Sequence, residues 1–223
     1  MKIAIIGASG FLGTKLMNFL SKENEVIGTY SGNKKNRLSY LDALNKKDLK
    51  NFITENKPDF VVDTIALTSS LVCENNPQLA EQLNYETAKN ISEVCIEKNI
   101  PMIFISSSYL FDGEKGNYSE TGETVPQNQY ARTKIMAEKE LSKNPKAIII
   151  RVDIMYGYNG KNEKNGVFDM ILSEKPIQLR EPNQLRQPLF VDDNPCAASI
   201  AVASDIDSPE STFSQETQHF IAA

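Results

Sequence analysis

The sequence is poor in the residues that build metal centres and hydrolytic triads. Its 223 residues include one histidine, His219, and three scattered cysteines, Cys73, Cys95 and Cys196. A single histidine argues against a Ser-His-Asp hydrolase and against any site with two histidine ligands. Because the cysteines lack metal-ligand spacing, we interpret them as buried free thiols. No metal site is expected.

Long apolar runs and a surplus of basic residues are also missing. The longest hydrophobic stretches are far shorter than a segment that crosses a bilayer. With 24 basic and 29 acidic residues, the net charge is −5, and no basic stripe offers a nucleic-acid surface. Met1-Lys2 leads directly into a strand pattern, which leaves no room for a signal peptide. We expect a soluble, cytoplasmic protein with neither nucleic-acid nor membrane partners.

The sequence does contain a regular alternation of short apolar strands and amphipathic helices. Nearly continuous Ile, Val and Phe runs are typical of a parallel sheet that is covered on both faces. Right-handed crossovers then predict a doubly wound α/β fold. The predicted strands are Lys2–Ile6, Glu25–Tyr30, Arg37–Leu41, Asp59–Thr64, Met102–Ser106 and Ala147–Val152.

Helical periodicity predicts the connecting helices. Leu12, Leu16, Phe19 and Leu20 mark one face of the first, and Lys47–Glu55 forms the second. Asn76-Pro77 is interpreted as an N-cap followed by an N1 proline, opening a helix to about residue 98. The helix that carries Tyr130 runs to about Leu141. The side chains predicted to face the core from the Pro77 helix are Leu79, Leu83, Ala88, Ile91 and Cys95.

A glycine-rich segment, Gly7-Ala-Ser-Gly-Phe-Leu-Gly13, directly follows the first strand and opens the first helix. In this context Gly7 permits a tight turn, Gly10 lets a pyrophosphate approach the backbone, and Gly13 allows helix and strand to pack closely. The helix N-terminus adds N–H groups and a positive dipole end. The segment therefore predicts dinucleotide binding. The expected contacts are Gly7, Ser9, Gly10, Phe11, Leu12 and Gly13.

The end of the second strand bears on which dinucleotide binds. An acidic residue there would hydrogen-bond the ribose 2′-hydroxyl of NAD, but the strand ends in Tyr30-Ser31 and is followed by Lys34, Lys35 and Arg37. A missing acid with cations nearby favours NADP(H), whose extra phosphate would pair with a cation. NAD(H) remains the alternative cofactor, and in that case the lysines belong to a solvated loop without a role in binding. Tyr30 and Ser31 are predicted cofactor contacts.

Tyr130-Ala-Arg-Thr-Lys134 places a phenol and an ammonium on one helix face. The cation is expected to stabilise the phenolate and to lower the pKa of Tyr130. Ser107, at the end of the preceding strand, would hold a carbonyl group. Taken alone, a tyrosine such as Tyr130 more often serves packing, and a lysine such as Lys134 is more often a solvated charge. Ser106 and Ser108 have an alternative interpretation as strand-end caps. Together the residues predict proton transfer for ketone reduction or alcohol oxidation.

Several further segments occur in a characteristic order. On these segments the sequence resembles the extended short-chain dehydrogenase/reductases and, within them, the dTDP-4-dehydrorhamnose reductase family. The resemblance covers about residues 1–200. The segments are Ala66-Leu-Thr68, Cys73-Glu-Asn-Asn-Pro-Gln-Leu-Ala80 with Asn84, Ile105-Ser-Ser-Ser-Tyr-Leu-Phe-Asp-Gly113, Tyr118-x-Glu120, Pro126-x-Asn128, Arg151 with Tyr156-Gly157, and Pro188-Leu-Phe-Val-Asp-Asp193.

The resemblance implies a role for each matching residue. Ser107 matches the catalytic Ser/Thr, Tyr130 the proton donor, and Lys134 the lysine that binds the ribose and lowers the tyrosine pKa. The implied reaction is NADP(H)-dependent reduction of a 4-keto sugar nucleotide in dTDP-L-rhamnose synthesis. Further matches are Ala66 in a turn against the cofactor, Asp42 at the adenine, and Asn84 in the active-site framework.

The resemblance also implies a division of the chain and a homodimer. Residues 1–157 would form a Rossmann dinucleotide-binding domain. Residues 158–223 would form a small, shortened C-terminal substrate-binding portion on the same domain. The sequence pattern itself predicts helices there, near Val167–Leu172 and Asn194–Ala203. Asp192 and Asp193 would cap the last helix or serve the substrate. The dimer would use the helices at about 77–98 and 129–141.

Two positions depart from the family pattern. Ser108 stands where an aspartate is usual, and Asp153 stands where a small Ser or Thr is common. These departures weaken the assignment of the sugar more than that of the reductase chemistry. Two alternatives to the reductase also stay open. One is a sugar-nucleotide epimerase or dehydratase of the same superfamily. The other is a non-catalytic NADP-binding regulatory subunit, similar to the regulatory partner of methionine adenosyltransferase.

Overall fold

Six parallel strands form the central sheet in the computed structural model, which describes residues 1–114, 116–157 and 189–190. The strand order is β3-β2-β1-β4-β5-β6. This order confirms the predicted doubly wound α/β fold. The strands are β1 Lys2–Ile6, β2 Glu25–Tyr30, β3 Leu38–Tyr40, β4 Phe60–Asp63, β5 Met102–Ser107 and β6 Ala147–Val152.

Helices connect the strands and cover the sheet. A short parallel pair, β7 Met155–Tyr156 and β8 Leu189–Phe190, lies outside the main sheet. A π-helical turn, Gln82–Glu86, joins two of the α-helices, and a 3-10 turn, Ser108–Leu110, directly follows β5. The α-helices are α1 Phe11–Leu20, α2 Lys46–Asn56, α3 Ser70–Asn75, α4 Pro77–Glu81, α5 Thr87–Lys98 and α6 Gln129–Leu141.

Two apolar layers sandwich the sheet. Ile3 and Ile5 of β1 pack with Leu16 of α1 on one face. Ala4 and Ile6 pack on the other face, against α2, α5 and α6. Successive side chains of a strand point to opposite faces, so a strand buried on both faces needs an unbroken apolar run. The strands were predictable for this reason.

The segment between β4 and α5 differs from the prediction. It begins with an unpredicted helix, α3, and the Pro77 helix contains the π-helical turn. Leu79, predicted to face the core, is 41% exposed, whereas Ala80 and Asn84 are buried. The wider π-helical turn changes the angular offset between α4 and α5, so a face extrapolated with an α-helical period is misplaced.

Asn76 occupies the N-cap position of α4 and Pro77 follows at N1, as predicted. The side chain of Asn76 does not cap α4, however. Its amide donates to the carbonyl of Val72 at 3.3 Å, at the end of α3. The same residue therefore closes one helix where another begins.

Some predictions lie outside the described residues. These are the helices near Val167–Leu172 and Asn194–Ala203, the roles of Asp192 and Asp193, the state of Cys196, and the separate portion 158–223. Cys73 and Cys95 are buried thiols, as predicted. None of the helices in the described part of the chain is long and apolar enough to cross a membrane.

Candidate active site

The predicted site residues gather along one edge of the sheet. The glycine-rich segment follows β1, Tyr30 ends β2, Ala66 follows β4, and Ser107 ends β5. Because all six strands are parallel, their carboxyl ends meet at this edge. The strand order reverses on either side of β1, which lies between β2 and β4. Doubly wound sheets bind ligands in the crevice at that point.

The glycine-rich segment needs glycine for two distinct reasons. Gly7 has a φ of +89°, a left-handed conformation that L side chains rarely adopt. A Cβ on Gly13 would lie 2.6 Å from the carbonyl oxygen of Gly7, so only glycine allows α1 to pack this closely. Gly10, the N-cap of α1, places no capping side chain on the first-turn N–H groups. The loop therefore has the shape of a phosphate cradle.

The segment after β2 reaches back to this loop. Lys35 Nζ donates to Thr14 Oγ1 at 3.2 Å, which places an ammonium beside the first turns of α1. Lys34 and Arg37 are exposed in the same segment. Tyr30 packs edge-on against Tyr40, with ring centroids 5.8 Å apart. The cations predicted to favour a 2′-phosphate thus lie at the correct edge of the sheet.

Asp42 follows β3 at the same edge, where it is half-buried. Its Oδ1 accepts a hydrogen bond from the N–H of Leu44 at 3.0 Å. This contact fixes the turn that leads into α2. The adenine contact predicted for Asp42 remains a prediction.

Ser107 and Tyr130 lie together at the end of β5. The Ser107 hydroxyl accepts from the N–H of Tyr109 at 3.2 Å. It also lies close enough to the phenol of Tyr130 to act against the rise in its pKa. Ser107 itself is therefore the strand-end cap. Ser106 and Ser108, offered as caps in the alternative interpretation, have buried hydroxyls with no hydrogen-bond partner in the described residues.

The predicted lowering of the Tyr130 pKa is wrong for this structure. Burial raises the pKa of Tyr130 to about 12, against the opposing effect of the nearby Ser107 hydroxyl. The Lys134 ammonium lies over the ring of Phe104 instead, 3.9 Å from its centroid. The phenol therefore keeps its proton at neutral pH, which suits a proton donor.

Lys134 is fully buried within α6. Burial lowers its pKa to about 8, while the charges of Asp63 and Glu138 act in the opposite direction. Its Nζ has no hydrogen-bond partner within the part of the chain described. A buried ammonium without acceptors is costly, and a ligand that offers hydroxyl groups would satisfy it.

Asp63 is a buried acid that the sequence interpretation passed over. It ends β4, is 1% exposed, and its Oδ1 accepts from the N–H of Ile65 at 2.9 Å. Burial raises its pKa to about 6. The sequence feature that indicates this residue is an aspartate at the end of the apolar run Phe60-Val-Val-Asp63, because Asp is rarely buried without a partner.

Asn84 connects two walls of the site. From the π-helical turn, its Oδ1 accepts from the N–H of Leu67 at 2.7 Å. Its Nδ2 donates to the carbonyl of Leu67 at 3.2 Å and to Thr133 Oγ1 at 3.1 Å. Thr133 in turn donates to the carbonyl of Tyr130 at 2.8 Å. One buried amide thus ties the loop after β4 to the helix that carries Tyr130.

A half-buried ion pair also supports this helix. Arg151 donates to both carboxylate oxygens of Glu138, at 3.0 and 2.7 Å, and to the carbonyl of Glu120 at 3.0 Å. Its guanidinium lies 5.2 Å from the ring centroid of Phe111. A bidentate pair of this kind fixes geometry as well as charge. It joins β6 to α6 and to the loop that follows β5.

The fold, with its strand order reversing at this edge, defines a Rossmann-type α/β protein. The sequence profile of the RmlD substrate binding domain matches residues 1–222 of the chain. The chain belongs to that family.

Known proteins of related sequence include reductases and a regulatory subunit. A probable low-salt glycan biosynthesis reductase from Haloferax volcanii is 31% identical over 162 residues, covering 70% of this chain and 54% of that protein. Methionine adenosyltransferase 2 subunit beta from Xenopus laevis is 32% identical over 196 residues, covering 85% of this chain and 58% of that protein. The chain spans a little over half the length of these curated relatives.

A solved structure shows the same fold. The dTDP-4-dehydrorhamnose reductase from Bacillus anthracis, in complex with NADP, aligns with a TM-score of 0.64 at 26% identity. The alignment covers 72% of this chain and 56% of that one.

Proposed function

We propose that this protein reduces a 4-keto sugar nucleotide with NADPH. The observation that carries the proposal is the closeness of Ser107 to the phenol of Tyr130 at the sheet edge that also bears the glycine-rich cradle. A hydroxyl that can hold a carbonyl and a phenol that can protonate it are the two groups that ketone reduction requires from the protein. Lys134, one helical turn beyond Tyr130, supplies a cation.

The residues present fit a dinucleotide cofactor. Gly7, Gly10 and Gly13 form a cradle without side chains, and the buried Lys134 Nζ has no acceptor within the described residues. Gly10 and the first turn of α1 would hold the pyrophosphate, Lys134 the nicotinamide ribose, and Lys35 a 2′-phosphate. NADPH, when bound, supplies the hydride. The Bacillus anthracis relative was solved with NADP, which supports this choice over NAD.

The proton chemistry follows from the local contacts. Ser107 already accepts from the N–H of Tyr109, so its own proton can be donated to a substrate carbonyl oxygen. Tyr130 holds its proton at neutral pH, because burial raises its pKa to about 12. As negative charge develops on the carbonyl oxygen, Tyr130 transfers that proton to it.

The substrate class rests on the relatives. The Bacillus anthracis protein is a dTDP-4-dehydrorhamnose reductase and the Haloferax volcanii protein a probable glycan biosynthesis reductase. We therefore place the substrate among nucleotide sugars, with dTDP-4-keto-6-deoxy-L-mannose as the first to test. Ser108 and Asp153, the two departures from the family pattern, are the positions at which a different sugar would be accommodated.

The test combines cofactor binding with turnover. NADPH binding is followed by fluorescence, and its oxidation by absorbance after addition of the keto sugar. Tyr130→Phe should lower turnover by a factor on the order of 10² to 10⁴ and leave NADPH affinity within about twofold. Tyr85→Phe is the matched control, since Tyr85 is a partly buried tyrosine that packs against the core layer beneath α2, α5 and α6. Equal turnover in wild type and Tyr130→Phe would refute the assignment.

A regulatory subunit is the second candidate function. It is favoured by the Xenopus laevis relative, which aligns over 85% of this chain and is named as a subunit of methionine adenosyltransferase. Tight NADPH binding without turnover of any 4-keto sugar, together with binding to methionine adenosyltransferase, would establish it. Copurified NAD with interconversion of UDP-hexoses would indicate an epimerase instead.

A homodimer built from α4, α5 and α6 remains a prediction, and sedimentation analysis of the purified protein tests it. Cytoplasmic localisation also remains a prediction.

A further inference from the structure

Two buried groups of opposite charge lie beneath the site. Asp63 is 1% exposed and Lys134 is 0% exposed. Within the described residues, neither Asp63 Oδ2 nor Lys134 Nζ has a hydrogen-bond partner. Taking an isolated charge out of water costs several kcal/mol or more unless an opposite charge compensates it. Each group is therefore a candidate counter-ion for the other.

The sheet register brings the two groups together. In the β4–β5 pair, Asp63 is opposite Phe104. Register partners on adjacent parallel strands project to the same face of the sheet. Lys134 Nζ lies 3.9 Å from the centroid of the Phe104 ring. Asp63 and Lys134 are thus both neighbours of one aromatic side chain, on the face covered by α5 and α6.

The other ionisable groups around the pair carry little free charge at neutral pH. On α5, burial raises the pKa of Cys95 to about 12, so its thiol is neutral. On α6, the carboxylate of Glu138 is neutralised by Arg151 at 2.7 Å. Tyr130 is likewise protonated, and Ser106 of β5 is neutral. Of the two carboxylates that act on Lys134, Asp63 therefore has the larger effect, because Glu138 is already paired with Arg151.

We propose that Asp63 is a positioning residue for Lys134, whose carboxylate keeps the buried lysine in its ammonium form and holds it beneath the cofactor-binding edge. The use of that cation rests on the proposed function, but the pairing itself does not. The charge balance agrees with the geometry. Burial lowers the pKa of Lys134 to about 8, and burial raises the pKa of Asp63 to about 6, while each charge opposes the shift of the other. Both groups are charged between these values.

The direct test measures the protonation of Lys134. In protein labelled with ¹³C at lysine Cε, the Lys134 resonance is assigned by its loss in Lys134→Met and titrated by NMR. Asp63→Asn should lower the titration midpoint by at least about one pH unit, a tenfold loss of ammonium at a given pH. Asp59→Asn, an exposed acid just before the same strand, should leave it unchanged. An unchanged midpoint in Asp63→Asn overturns the proposal.

A second readout separates this proposal from the proposed function. In Asp63→Asn, NADPH affinity should fall at pH 8 and recover towards pH 6, because Lys134 regains its proton. A merely structural role would lower affinity equally at both pH values, and that result counts against the pairing. If wild-type protein binds no NADPH at any pH, the proposed function fails, while the NMR midpoint still decides the pairing.

Failure of Asp63→Asn to fold is also informative. Adding Lys134→Met removes the cation that has lost its counter-ion, so the double variant should fold again. A double variant that stays unfolded, beside a folded Lys134→Met single variant, would overturn the proposal.

Discussion

At the scale of single residues, one buried cation in the site, Lys134, lowers the stability of the folded protein. Lys134 ordinarily titrates near 10.5, and burial lowers its pKa to about 8 in the folded protein. A lowered lysine pKa means that the unfolded chain binds the proton more tightly than the folded one. The associated stability is fully present above pH 10.5 and is lost as the pH falls through about 8. At neutral pH the protein therefore carries the whole cost of this cation.

Lys134→Met should expose that cost in the pH dependence of stability. One pH unit corresponds to about 1.4 kcal/mol, so the difference amounts to roughly 3 kcal/mol. The unfolding free energy of the variant, minus that of wild type, should decrease by this amount between pH 8 and pH 10.5. Denaturant unfolding at a series of pH values measures it. A difference that stays constant over this range would show that Lys134 is not destabilised by burial.

At the scale of elements, the site depends on how a loop and two helices are joined. The π-helical turn turns Asn84 inward, where it bonds both backbone groups of Leu67 and the hydroxyl of Thr133. Bulges of this type recur at functional sites because they redirect side chains. The position of Tyr130 in α6 thus depends on an irregularity in a neighbouring helix.

Asn84→Ala should loosen this junction and weaken the reaction. Three hydrogen-bonding groups would lose a buried partner, so we expect a loss of about 3 kcal/mol in unfolding free energy. Turnover should fall more than NADPH affinity, because α6 carries the proton donor.

Asn144→Ala is the matched control for Asn84. Asn144 is also buried and bonds Ser92 at 3.2 Å, beyond the far end of α6. It should lower stability without a selective loss of turnover. Equal turnover losses in the two variants, after correction for the folded fraction, would count against the framework role of Asn84.

At the scale of the whole molecule, cofactor binding should stabilise the fold, because the proposed cradle spans β1, α1 and the segment after β2. A ligand at 100 times its Kd adds about 2.7 kcal/mol, if it binds only the folded state. For a chain of 223 residues that corresponds to a rise in Tm of roughly 5–10 °C.

NADPH should give this rise at concentrations where NADH gives less, because Lys35 lies beside the first turns of α1. Thermal denaturation with each nucleotide measures the difference. In Lys35→Ala, the thermal denaturation curves with NADPH and with NADH should come together. Only the binding of NADPH is weakened, because a charge-assisted contact to its phosphate is lost. A preference for NADH in wild type would reverse the interpretation of the basic segment.

The sheet and its glycine-rich edge could be predicted from the sequence for a physical reason. The six strands are buried on both faces, and an apolar run such as Lys2–Ile6 records that burial directly. The turn at Gly7 and the close approach at Gly13 each require a glycine, so these positions are visible in the sequence. Helix α6 was likewise predictable within a residue, because its apolar spacing and its Asn128 cap are local.

Other features were not predictable because they depend on distant partners. Helix α3 has only six residues, too few to show a period, and the π-helical turn shifts the face that Leu79 occupies. The sequence by itself determined the doubly wound order, the cradle and the identity of Ser107, Tyr130 and Lys134 as a group. Only the tertiary structure decided their electrostatics. Burial, which arises from residues far apart in the chain, raises the pKa of Tyr130. The fold also brings Asp63 and Lys134 beside the same aromatic residue, Phe104.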